Sequence, residues 1–488
     1  MADVSNSNLP LSARPNPSPK SDDGGEKPTT KKKPAPKRFV KSQIPLEILS
    51  DPALNAAAAL LPSNYDFEIH KTVHRVVSSA ARRVVLQLPD GLLMYALPLA
   101  DILRSSSAAA EDILVLADPT YGACCLDDFA ASALQADLLV HYGHSCLVPV
   151  PSARLPTHYV FVDIRIDVQR LAAAVRSAFP PSSKLALAGT VQFVAAVHAA
   201  KSILSSEGYD ITVPQAKPLS AGEVLGCTAP TIPKSRGMED LVFVADGRFH
   251  LEAFMIANPG IRAFRYDPYL GVLVLEQYDH EGMKKARKDA ILAAREARNW
   301  GVILGTLGRQ GNTRVLDRVV EHMEEKGLEY SVVLMSEITP GRIALFGDSV
   351  DAWVQIACPR LSIDWGEGFP RPLLTTFELE IALGYVPGWW ENDRRTEPKN
   401  SNCGRMAKKE ESCSISGGCE GGSCGCKCNS YGKETDYAMD YYAQDGGDWN
   451  SSYVRKRTST SERRPRRNID GYSIGSYYHR LHDWQCLS

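Results

Sequence analysis

DILVLADPTYGACCLDDFAASALQADLLVHYG, residues 112–143, reads as strand, loop, helix and strand in succession. Its two ends, DILVLA and DLLVHYG, are near-continuous apolar runs, the look of strands covered on both faces. Between them DDFAASALQA has the apolar spacing of a helix, and a helix joining two such strands makes them parallel. The same alternation continues outward in both directions. RVVLQLP (83–89) and HYVFVDI (158–164) complete a first batch of strands. KLALAG (184–189), DITV (210–213), DLVFVAD (240–246) and IRAFRYD (261–267) form a second. WGVILGT (300–306), YSVVLMS (330–336), AWVQIAC (352–358) and PLLTTFE (372–378) form a third. QRLAAAVRSAF, FVAAVHAAKSILSS and TRVLDRVVEHMEEKG supply crossover helices. The expected fold class is α/β: three similar domains, 41–168, 169–276 and 277–395, each a roughly four-stranded parallel sheet flanked by helices. Element order alone carries the threefold duplication, since no residue-level repeat is obvious.

Residues 1–40, rich in Pro, Ser and Lys, and 396–488, where Gly, Ser, Cys, Asn, Arg and Tyr take over, have too few large apolar side chains to offset the entropy of ordering. Both read as disordered tails. Charges nearly balance, 55 Lys and Arg against 57 Asp and Glu, so nothing drives the whole chain toward nucleic acid or acidic lipid. The basic run KKKPAPKRF could serve nuclear import or a loose anionic contact, or be a solvated linker. The first twenty residues lack the apolar stretch of a secretory signal. The longest uncharged run, LALAGTVQFVAAVHAA (185–200), stops short of the ~18 residues a membrane span needs. A soluble cytoplasmic protein, with room for a nuclear pool, is the expectation.

That compartment keeps thiols reduced, so the twelve cysteines point to metal, redox or packing roles and not to stable disulfides. Every batch has cysteine at the carboxyl edge of its strands, where ligands gather in parallel sheets. Cys124 and Cys125 follow the second strand of the first batch, Cys227 follows the second strand of the second, and Cys358 ends the third strand of the third. More than a hundred residues separate these positions, which excludes a locally chelating finger or ribbon. Only tertiary folding can bring them together. Cys124, at what reads as a helix N-terminus, would have its thiolate favoured by the helix dipole. Buried free cysteine is equally common as a small apolar residue, and spacing alone leaves a shared site and simple packing both open. In the second tail Cys413, Cys419, Cys424, Cys426 and Cys428 could bind zinc or another soft metal, or form a flexible run that binds metal opportunistically.

DPTYGACCLDDFAASALQADLLVHYGHSCLVP, GEVLGCTAP, DGRFHLEA, GTLGRQGN and QIACPRLSIDWG occur in this order between residues 118 and 366. Together they resemble the radical 3-amino-3-carboxypropyl transferase family of diphthamide biosynthesis in its eukaryotic, two-subunit form, over about residues 38–390. The resemblance implies three similar α/β domains, each lending one cysteine to a single [4Fe-4S] cluster. The YGAC match selects Cys124, the GCTAP match Cys227 and the CPR match Cys358. Cys125 is then the spare thiol beside the site, and Cys146, which follows the third strand of its batch as Cys358 does, is a further candidate ligand. Three thiolates leave one iron open, the mark of a catalytic metal site. In this family S-adenosylmethionine binds there, and its 3-amino-3-carboxypropyl group passes as a radical to imidazole C2 of one histidine in translation elongation factor 2. The usual radical-enzyme signature C-x3-C-x2-C is absent, in keeping with cleavage of a different bond.

By the same resemblance the expected partners are a homologous second subunit, a small metal-binding electron donor and elongation factor 2 itself; no membrane or direct nucleic-acid partner is expected. Gln192 could hold the methionine carboxylate and Asp246 the amino group, with His250 facing the same edge, while Gly305 and Gly308 in GTLGRQGN could let the backbone approach the cofactor. Satisfied turn residues are the alternative reading for each. Two rival functions stand beside the enzyme: a non-catalytic electron-relay or scaffold subunit of the same complex, and a non-enzymatic α/β module binding zinc through the same thiols.

Overall fold

The structure, a computed structural model, describes residues 44–107, 110–391 and 436–453. The first tail and the five cysteines of the run 413–428 lie outside the described residues. Strand β1 (Tyr65–Asp66) leads into the first sheet, built from β2 (Arg83–Gln87), β3 (Asp112–Leu116), β4 (Leu138–Tyr142) and β5 (Thr157–Val160). Strand β6 (Asp163–Ile164) leaves that sheet and pairs antiparallel with β1, Tyr65 opposite Ile164. The second sheet holds β7 (Lys184–Gly189), β8 (Asp210–Thr212), β9 (Asp240–Val244), β10 (Arg262–Asp267) and β11 (Val272–Glu276). The third holds β12 (Asn299–Gly305), β13 (Glu329–Met335), β14 (Ala352–Ile356) and β15 (Leu373–Leu374).

All three sheets share one strand order. It runs β3-β2-β4-β5 in the first, β8-β7-β9-β10 in the second and β13-β12-β14-β15 in the third, each set wholly parallel. The order reverses at the first strand of each sheet, and such a reversal opens a crevice at the carboxyl ends of the strands. The third strand of each sheet (β4, β9, β14) is buried along its whole length, in keeping with its mostly apolar sequence, and even His141, Asp240 and Gln355 lie inside. Among the described residues no helix is long and apolar enough to cross a membrane.

Local chemistry departs from the sequence pattern in four places. At the end of β10, Asp267 accepts hydrogen bonds from the amides of Tyr269 and Leu270, and Gly271 sits at φ +66°, so the chain doubles back and β11 joins antiparallel. PLLTTFE keeps only Leu373–Leu374 as strand: Thr375 and Glu378 form a capping box that starts a helix over Thr376–Ala382. Cys124 lies in a single 3-10 turn, Ala123–Cys125, and the helix behind it begins only at Asp128, capped by Asp127. Cys124 therefore precedes the helix instead of opening it, and does not occupy the N-terminal turn where the dipole acts. Finally, residues 436–453, inside the stretch read as a tail, are packed into the largest apolar core of the molecule through Tyr437, Met439, Tyr441 and Tyr442. That core also takes in Ala123 and Leu147 from the first domain and the inner faces of the second and third sheets.

Candidate functional site

A polar residue in each of two otherwise apolar strands sets the cysteine loops. Gln87 ends β2 and is buried; its Nε2 donates to the Cys125 carbonyl (2.8 Å), while its Oε1 accepts from the Asp127 amide (3.1 Å) and lies 2.9 Å from His141 Nδ1. The turn carrying Cys124 and Cys125 is thereby pinned to the sheet. In the third sheet Gln355 of β14 does the same, its Nε2 donating to the Cys358 carbonyl (2.9 Å) and to Ser362 Oγ (3.1 Å). A glutamine inside a strand buried on both faces is the signal by which both were readable, because a buried amide must find partners.

The three loops are then tied to one another. Gln192, at the turn after β7, donates from Nε2 to the Gly143 carbonyl beyond β4 (2.6 Å), joining the second sheet to the first. Arg309, from the GTLGRQGN loop, donates its amide to the Cys124 carbonyl (2.8 Å) and its guanidinium to the fully buried carboxylate of Asp128 (2.6 Å from Nε), joining the third to the first. Arg360, two residues past Cys358, is only 3 % exposed. It bonds Glu252 (2.6 Å), Asp364 (2.8 Å), the Phe249 carbonyl (2.7 Å) and the carbonyl of Gly226 (3.3 Å), the residue before Cys227. The second and third cysteine loops thus hang on one guanidinium. Arginine suits this role because its planar fork can serve several acceptors at once.

The glycines expected to admit a cofactor are occupied by protein. A Cβ on Gly308 would lie 2.4 Å from the Cys125 carbonyl group, and one on Gly305 would lie 2.7 Å from the Ala357 side chain. Gly308 also adopts φ +54°, so both its backbone and its lack of a side chain let the loop close on the thiol turn.

Cys124, Cys125, Cys227 and Cys358 gather within range of one another's charge. Cys125 is buried, and its Sγ accepts from Gln310 Nε2 (3.3 Å); the other three are partly open. Cys146 stands apart, exposed, with its Sγ 3.6 Å from the Val148 carbonyl and its charge felt by Tyr159. Hydrogen bonding to Cys125 and burial hold the Cys124 thiol well above its ordinary range, while the same bond draws Cys125 down to about 7. Burial pushes Cys227 up to about 12 and Cys358 up to about 11. Although their residues are partly open, the Cys124, Cys227 and Cys358 sulfurs are shielded enough to stay protonated unless a cation compensates their charge, so metal binding at these three would release protons. Among the described residues no three or more His, Cys, Asp or Glu side chains converge on a single ion. Ligands to different irons of a cluster need not converge in that way, and three partly open thiols around one centre fit a group that takes soft thiolate donors.

Beside the thiols the edge between the first two sheets is polar. Burial holds both His144 and His250 at about 4, aided for His144 by His250 and for His250 by Arg360, so both are neutral at physiological pH. Glu223, wholly buried, has its carboxyl raised by that burial, with Ser145 beside it. Asp246 is exposed just past β9, where Tyr269 feels its charge.

Residues 88–394 match the model of a family described as putative diphthamide synthesis protein. Curated relatives named 2-(3-amino-3-carboxypropyl)histidine synthase subunit 1 are 52% identical in Bos taurus over 351 residues, 72% of this chain and 79% of the relative. The Homo sapiens protein matches to the same extent, and that of Aspergillus fumigatus is 50% identical over 357 residues, 73% of this chain and 80% of the relative. A crystal structure of Dph2 from Pyrococcus horikoshii with a 4Fe-4S cluster superposes with a TM-score of 0.56 at 26% identity, covering 66% of this chain and 92% of that one. Three equivalent parallel sheets around a thiol centre, and relatives of one activity, define an α/β transferase. The chain belongs to the diphthamide synthesis family.

Proposed function

We propose that this chain transfers the 3-amino-3-carboxypropyl group of S-adenosylmethionine to imidazole C2 of a histidine in translation elongation factor 2, with a [4Fe-4S] cluster held by Cys124, Cys227 and Cys358. The observation that carries the reading is the gathering of three partly open thiols, one from each of three topologically equal sheets. A bound cluster would supply a reducing electron and one iron free of protein ligands for the donor substrate. The chain's own residues do the rest by position. Gln87 and Gln355 fix two cysteine loops, and Arg309 and Arg360 fix the loops against each other. Cys125, buried and bonded to Gln310, is spare. Gly305 and Gly308 act at one remove, by letting their loop close on Cys125 and Ala357. Gln192 has a second amide hydrogen to offer a methionine carboxylate, and Asp246 an exposed carboxylate for the amino group.

The printed name of the relatives, subunit 1, supports a partner chain. We take that partner to be a homologous second subunit, with a small metal-binding protein as electron donor, the whole acting in the cytoplasm. Anaerobic purification with that subunit, iron and sulfide analysis, and assay of methylthioadenosine release with elongation factor 2 present test the reading together. An iron-loaded protein that releases methylthioadenosine only with target present is expected. A colourless protein holding zinc would overturn it.

A further inference from the structure

Residues 436–453 lie beyond both the family match and the three sheets, yet they cross the thiol site. The segment begins on the third domain, where Tyr437 donates its hydroxyl to Glu378 Oε1 (2.7 Å). It then runs beside the Cys227 loop. Ala229 donates its amide to the Met439 carbonyl (2.9 Å), the Tyr442 amide donates to Thr228 Oγ1 (3.0 Å), and the Tyr441 amide donates to the carbonyl of Cys227 itself (3.3 Å). It ends back on the third domain and at the first: Asn312 donates to the Ser451 carbonyl (3.2 Å), and the Tyr453 hydroxyl donates to the Arg309 carbonyl (3.2 Å) beside the Cys124 turn. Asp440 staples the segment to itself. Its carboxylate accepts from the Gly447 amide (2.8 Å) and from Trp449 Nε1 (2.8 Å), closing a loop that the Ser451 amide to the Tyr441 carbonyl (2.7 Å) and Asn450 Nδ2 to the Ala443 carbonyl (2.7 Å) also hold.

We infer that residues 436–453 are an in-chain strap that walls the thiol site, and that the Tyr442 phenol is the group the strap presents to it. Tyr442 is 2 % exposed and packs in the same core as Cys124 and Cys227. Its amide is anchored to Thr228, the residue after Cys227, and its hydroxyl lies within range of the charges of Cys124, Cys227 and Cys358. A phenol donates hydrogen bonds, and donors directed at a cluster's sulfurs, together with exclusion of water, set its reduction potential. The second half of the inference rests on the cluster reading above; the first half does not.

The test separates the two. The full-length chain is treated without metal with iodoacetamide, and the rate of labelling at each cysteine is read by mass spectrometry. Cys146, which is exposed, serves as the internal standard. Asp440→Ala removes the staple, and the loss of two part-buried hydrogen bonds should raise labelling of Cys227 and Cys124 roughly five- to thirtyfold with Cys146 unchanged. Equal labelling in both proteins would show that the strap walls nothing. Tyr442→Phe, which keeps the ring, is then compared with the parent after anaerobic loading. It should retain iron and sulfide while its reduction potential moves to a more negative value and its electron paramagnetic resonance spectrum changes. An unchanged potential and spectrum would remove Tyr442 from the site. A parent chain that takes up no iron but shows the labelling effect would sustain the strap and sink the cluster.

Discussion

Replacing Arg360 with glutamine should loosen the thiol site by cutting the tie between the Cys227 and Cys358 loops. The guanidinium is 3 % exposed and bridges Glu252 and Asp364, whose side chains are 21 % and 23 % exposed. Removing one partner of a fully buried ion pair costs about 3–5 kcal/mol, because the remaining charge stays desolvated. Here water reaches about a fifth of each carboxylate, which reduces the cost, while two carbonyls, of Gly226 and Phe249, also lose their donor. The balance is about 2–4 kcal/mol, or a fall of roughly 3–5 °C in apparent melting temperature if the described residues unfold as one unit. Arg360→Lys keeps a charge but not the fork and should fall between. Thermal melts followed by circular dichroism read the first effect; iron retained per chain after gel filtration reads the second, because the Cys227 and Cys358 loops lose their common tie. A melt within about 1 °C of the parent with iron fully retained would refute the assignment of Arg360 as the clamp between those loops.

Other perturbations follow from the same geometry. Gly308→Ala places a methyl against the Cys125 carbonyl in a left-handed backbone conformation, and should cost about 2–3 kcal/mol and lower iron content, read by melting and metal analysis. Arg287→Met leaves the buried Glu378 without its bidentate partner and should cost about 3–5 kcal/mol, and the double variant with Glu378→Met should recover only part of that, because Glu378 also accepts from Tyr437 and from the Thr375 amide, as measured by urea unfolding. His144, His158 and His250 are each held at about 4, mainly by burial, against 6.5 when free. Below pH 6.5 the unfolded chain takes up protons that the folded chain refuses. Their contribution is therefore complete above that pH and is lost as pH falls toward 4, at most about 1.4 kcal/mol per pH unit for each histidine. Urea midpoints should drop from pH 7 to pH 5, less steeply in His158→Gln; a flat profile would contradict the burial argument.

The parallel sheets were legible because their strands are short, predominantly apolar runs, as in LLVHY, DLVFV and AWVQI. The cysteines were legible because strand order puts each near a carboxyl edge. What periodicity could not reveal lies in side-chain chemistry of longer reach. Strand β11 depends on the Asp267 turn, and the shortness of β15 on a capping box that only Thr375 and Glu378 announce. Gln87 and Gln355 are polar positions in otherwise apolar strands, with no periodic signal of their own, and each holds a cysteine loop. Arg309 and Arg360 meet partners more than a hundred residues away, a pairing with no local trace. The segment 436–453 has no period at all. Its burial rests on Tyr437, Tyr441 and Tyr442 finding a core built by distant elements, so composition read it as tail.

We propose that Cys124, Cys227 and Cys358, and not Cys125 or Cys146, hold one iron-sulfur cluster. Iron and sulfide analysis of the five single Cys→Ala proteins, each purified anaerobically with its partner subunit, tests it most directly. About four iron and four sulfide per chain should survive in Cys125→Ala and Cys146→Ala and be lost from the other three. Full occupancy in any one of those three, or loss in Cys125→Ala alone, would contradict the account.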